Sequence, residues 1–132
     1  MTSIAFETKR LAARTDVVAP DGSEVRLLCA TARGSMAHFR LSPGEVAKAV
    51  THRTVDEIWY VTAGRGQIWR KTADHEEVTL LEPGVSLTIP FGTQFQFRCD
   101  GSTPLDIVAV TMPPWPGENE AFLVDGKWSL PA

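Results

Sequence analysis

Cysteine is scarce: Cys29 and Cys99 are the only two in 132 residues. No disulfide framework is therefore expected, and both thiols read as reduced core fillers. Runs of one charge are missing too. Thirteen Lys and Arg against sixteen Asp and Glu leave a net charge of −3. That excludes the basic footprint of a nucleic-acid binder and the polybasic patch of a membrane-surface protein. No apolar run approaches the roughly 20 residues that cross a bilayer. The opening MTSIAFETKR also lacks the basic-then-apolar order of a signal peptide. The expectation is a cytoplasmic, soluble chain with one domain over residues 1–132, long enough for one core and too short for two.

What the chain does have is punctuation. Asp21-Gly22, Ser42-Pro43-Gly44, Gly64-Arg65-Gly66, Glu82-Pro83-Gly84, Phe91-Gly92 and Asp100-Gly101 separate short apolar segments such as EVRLLCAT, EIWYVTAG, VSLTIP, QFQFR and PLDIVAVTM. Strands of four to eight residues between Gly, Pro and Asp turns describe an all-β sandwich or barrel. A weak helix signal, FETKRLAAR over 6–14, predicts two helical turns in a short N-terminal extension. The prolines of MPPWPG (112–117), at the head of a Pro- and Trp-rich C-terminal segment 112–132, cannot join a central strand. They predict a loop or edge covering, with Trp115 held rigidly over a cavity mouth or against a neighbouring subunit.

The stretch from Gly44 to Cys99 resembles the cupin family, a double-sheet jelly roll. The first family motif, G-x5-H-x-H-x(3,4)-E-x6-G, falls on Gly44, Val50, His52, Glu57 and Gly64. The second, G-x5-P-x-G-x2-H-x3-N, falls on Gly84, Pro90, Gly92, Phe95 and Cys99. All intervals are kept, and the four glycines and the proline match. The resemblance implies an all-β cupin-type jelly roll (β-barrel) that pairs into a homodimer. It also implies a metal site of three His and one Glu inside. Here Val50 and Phe95 stand at two of those four positions, so only His52 and Glu57 remain. Two protein ligands fall short of a zinc site or of an iron facial triad. The half set implies no tightly bound metal, or a weak divalent site for manganese, iron, nickel or zinc. Gln94 or Gln96 would assist if a bulge turned either inward.

Alternation along a strand puts Trp59 and Val61 on the face of Glu57, and Val50 on that of His52. An imidazole and a carboxyl in a hydrocarbon wall are candidates for acid/base catalysis, because burial moves both away from their ordinary pKa values. The resemblance adds a precedent in metal-free cupin epimerases that use a histidine with a carboxylate. Two functions stay open. One is a small-molecule enzyme using His52 and Glu57. The other is a non-catalytic module that binds a small ligand against Trp59, Trp69, Gln94, Phe95, Gln96 and Phe97. A filled core with no cavity is the third outcome. Arg70 and Arg98 are candidate anion partners, His38 is expected to point out of the interior, and His75 to be solvated.

Overall fold

The computed structural model describes residues 5–117 and 119–130. The ends of the N-terminal stretch and of segment 112–132, together with Glu118, lie outside them. In chain order the strands are β1 (Val17–Val18), β2 (Glu24–Ala30), β3 (Ser35–Leu41), β4 (Val50–His52), β5 (Asp56–Ala63) and β6 (Gly66–Lys71). They continue with β7 (Glu76–Leu81), β8 (Ser86–Ile89), β9 (Gln94–Cys99), β10 (Leu105–Met112) and β11 (Ala121–Leu123). One antiparallel sheet has the order β1-β2-β3-β10-β5-β8 and the other β11-β4-β9-β6-β7. The strands thus form two facing sheets, a jelly roll rather than a barrel closed by continuous hydrogen bonding.

The motif glycines owe their positions to turns. Gly44, Gly64, Gly84 and Gly92 all take positive φ. At Gly64 a second constraint acts, since a Cβ there would lie 2.3 Å from the Pro104 carbonyl oxygen. Any other residue at 64 would have to push the β5–β6 turn off the start of β10.

The side-chain period of two then sorts core from surface. Along β5, Glu57, Trp59 and Val61 are buried while Ile58 and Tyr60 are exposed. Trp59 and Phe97 pack edge to face at 4.9 Å, on top of Ile68, Leu81, Leu105 and Ile107. Truncating either ring to alanine is expected to cost ~3–5 kcal/mol.

No helix occurs among the described residues, so the two turns predicted over 6–14 do not form. The segment is irregular and lies along the β2 edge, where side chains bond to that strand. Arg26 donates to the carbonyls of Ala12 and Ala13, Asp16 Oδ2 accepts the Leu27 N–H, and Glu7 Oε1 accepts that of Ala30. These bonds satisfy an open sheet edge, and they outweigh a weak local helix preference.

Candidate functional site

Between the sheets lies a cavity of about 770 Å³, with Glu57 and His52 in its wall. Strand β4 carries Val50 and His52 inward from one sheet, and β5 brings Glu57 and Trp59 from the other. His52 Nδ1 stands 3.3 Å from Glu57 Oε2, so the pair spans the two layers. The approach lacks hydrogen-bond alignment, and Nδ1 has no partner among the described residues. The other carboxyl oxygen, Oε1, accepts the Trp59 indole N–H at 2.6 Å. The imidazole is held edge-on between Phe95 at 5.2 Å and Trp115 at 5.0 Å.

Burial dominates the electrostatics of both groups. It pushes the Glu57 carboxyl up to about 7, against the lowering effect of the Trp59 bond and with smaller help from Asp21 and Glu120. It pulls the His52 imidazole down to about 4, although Glu120 works the other way. Glu57 therefore titrates near neutrality, as the sequence reading expects of a buried acid, whereas His52 falls well below it. From about pH 4 to about pH 7 the two face each other uncharged, and no ion pair forms.

The other residues singled out from sequence divide by face. Phe95 lines the cavity, and Phe97 lies deeper, against Trp59. Trp69 points out of the other side of its sheet, where its indole donates to Glu76. Gln96 is buried on that same outer face, bonded to the Ala47 and Trp128 carbonyls and to the Trp128 N–H. Gln94 sits there too, beside Thr51. The β4–β9 and β6–β9 ladders show no register shift, so the bulge that would turn either glutamine inward is missing. Arg70 and Arg98 pair with Glu77 and Asp100. His75 is exposed. His38 turns away from the cavity yet is buried, 3.3 Å from Asp106.

Four participants were not visible in the sequence. Glu120 sits beside β4, where its carboxylate accepts Thr54 N–H, Thr54 O–H and Val55 N–H. Burial alone would raise its pKa, but these bonds hold it low. Asp21 lies in the cavity wall, and burial raises its carboxyl. Ser35 and Thr111, whose hydroxyls bond to each other, also face the cavity. Asp21-Gly22 reads as turn punctuation, and Glu120 follows a proline-rich loop, so neither carries a sequence signal for a site.

A metal does not fit these residues. Val50 and Phe95 are cross-strand neighbours and fill with hydrocarbon the space where two further donors would stand. No group of three His, Cys, Asp or Glu side chains converges among the described residues. The carboxyl that remains holds its proton up to about pH 7, which weakens it as a ligand.

Two facing antiparallel sheets around an internal cavity define a jelly-roll domain with an interior site. The family model for the cupin domain matches residues 37–111, more than half the chain, and the chain belongs to the cupin family. Among solved structures, KdgF from Halomonas sp. is 16% identical, with a TM-score of 0.69 over 83% of this chain and 97% of that one. A conserved protein with a double-stranded beta-helix domain from Klebsiella pneumoniae is 16% identical, with a TM-score of 0.65 over 95% and 100%. Oxalate decarboxylase from Bacillus subtilis is 15% identical and reaches 0.76, but the match covers 93% of this chain and only 33% of that one. At such identities the likeness is one of fold. No curated protein sequence matches the chain significantly.

Proposed function

We propose that the chain is a small-molecule enzyme that transfers protons without a metal, Glu57 carrying the proton and His52 assisting as a neutral imidazole. The observation behind this reading is a cavity of about 770 Å³ whose wall holds two ionisable groups with pKa values pushed to about 7 and about 4. Environments that separate two such groups mark acid/base assignments. A carboxyl titrating near neutrality exchanges protons efficiently at working pH. Glu57 as carboxylate would take a proton from a substrate carbon beside a carbonyl and return it as carboxylic acid, leaving the enzyme unchanged. Neutral His52 would offer one hydrogen bond to the oxygen on which charge develops.

The test is deuterium exchange followed by NMR, with acetophenone and phenylacetone as probes in heavy water. Wild type is expected to incorporate deuterium beside the carbonyl, and Glu57→Gln to lose the rate by about 10²-fold or more while still binding the probes. Binding without exchange in the wild type would overturn the enzymatic reading and leave a ligand-binding module. That alternative is favoured by the Val50 and Phe95 hydrocarbon in the wall.

A further inference from the structure

The proton-transfer reading leaves one buried acid in the cavity without work. Asp21 is nine-tenths buried, and its Oδ1 accepts both the Ser23 N–H at 2.9 Å and the Ser23 hydroxyl at 2.7 Å. Those two bonds close the turn into β2, and an asparagine oxygen would close it equally well. Neither Ser23 bond involves the second oxygen, Oδ2, and the residue forms part of the cavity wall. Burial raises the pKa of this carboxyl, and a cation beside it would offset the cost of its charge. His52 Nδ1, buried in the same cavity, has no hydrogen bond among the described residues.

The charges around the cavity select the partner. Among the described residues its acids are Glu7, Asp21 and Glu57, its bases are Lys9, beside Glu7 on the N-terminal strap, and the buried His52, and no arginine lines it. An anionic ligand would meet carboxyls in a low-dielectric space, with no guanidinium to receive it. A cation would meet the opposite sign. The walls are suited to one as well, since Phe39, Trp59, Phe95 and Trp115 all face the cavity. Aromatic rings around a cation are a recurring means of holding it out of water.

We propose that the cavity takes a small organic cation, a primary ammonium on an apolar or aromatic body, with Asp21 Oδ2 as the anchor of the ammonium and the aromatic rings as walls. This names the ligand class of the site described above. It rests on that cavity being a ligand site, and not on the proton transfer.

The experiment is calorimetric titration of the full chain at about pH 8 with benzylamine, benzyl alcohol and benzoate, which share one body and differ in charge. Wild type is expected to bind benzylamine at least about tenfold more tightly than benzyl alcohol, with benzoate weakest. Asp21→Asn, which keeps an oxygen for both Ser23 bonds, is expected to bring benzylamine down to the alcohol's affinity and leave the alcohol unchanged. Benzyl alcohol binding as tightly as benzylamine to the wild type would overturn the proposal without recourse to any variant. So would a benzylamine affinity untouched by Asp21→Asn, or binding by none of the three. Tight benzylamine binding by a protein that exchanges no deuterium into the ketone probes would uphold this proposal while removing the catalytic one.

Discussion

Replacing Glu57 by glutamine removes a buried ionisable group and keeps an oxygen to accept the Trp59 indole N–H, which now sits 2.6 Å from Oε1. The consequence for stability follows from the pKa. Folding raises the Glu57 carboxyl from 4.5 to about 7. A carboxyl whose folded pKa is raised stabilises the fold fully below 4.5, and that contribution is lost as pH rises through about 7. The difference is worth about 3 kcal/mol once both states are ionised. Glu57→Gln escapes this loss, so it is expected to match wild type near pH 4.5 and exceed it by about 3 kcal/mol at pH 8, or ~10 °C in Tm. His52 carries the opposite sign. Its folded pKa is depressed from 6.5 to about 4, so its contribution is present above 6.5 and lost as pH falls through about 4. In wild type the two slopes oppose each other between about pH 4.5 and 6.5 and nearly cancel. In the variant only the histidine slope remains, and stability should climb with pH across that window. Urea unfolding of chelator-treated protein at five or six pH values measures both curves. A variant less stable than wild type at pH 8, or a gap that does not change with pH, would refute the burial argument.

Three further outcomes are expected. Elemental mass spectrometry should find no stoichiometric manganese, iron, nickel or zinc in wild type after reconstitution, and near-stoichiometric metal in Val50→His with Phe95→His. Metal in the wild type that disappears in His52→Ala and Glu57→Ala would refute the metal-free reading. Glu120→Gln, which weakens three charge-assisted acceptor contacts to Thr54 and Val55, should cost ~1–3 kcal/mol at pH 7. Because the Glu120 pKa is lowered on folding, that deficit should shrink as pH falls through its folded value; a deficit constant down to acid pH would contradict it. The outer face of the six-stranded sheet exposes Ile58, Tyr60 and Met36, and a homodimer is expected there. Light scattering that returns the 14.5 kDa mass of one chain at high concentration would rule it out.

Turn spacing and alternation are local properties, and the strands were legible from them. Positive-φ glycines at 44, 64, 84 and 92 mark turns in the one-dimensional chain as they do in space. Period-two alternation told that Glu57, Trp59 and Val61 share a buried face. The same rule sends Gln94, Gln96 and Trp69 to the far face of their sheet once Phe95, Phe97 and Ile68 turn inward, and only an inserted bulge would have reversed it. The helix predicted over 6–14 failed because its backbone and side chains found partners on the β2 edge, a contact across 13 to 23 residues that no window of local sequence contains.

By itself, then, the sequence determined the strands, their facing and the family, and it identified His52 and Glu57 as the polar pair left in a hydrocarbon wall. Tertiary structure alone decided that the wall encloses an open cavity, that the pair meets across two sheets, and that Asp21 and Glu120 stand around it. The physical reason is that burial and electrostatics depend on distance in space. Asp21 and Glu57 are 36 positions apart in the chain, and Glu120 lies another 63 beyond. Only the closure of one sheet over the other brings their charges within range and removes the water that would have screened them.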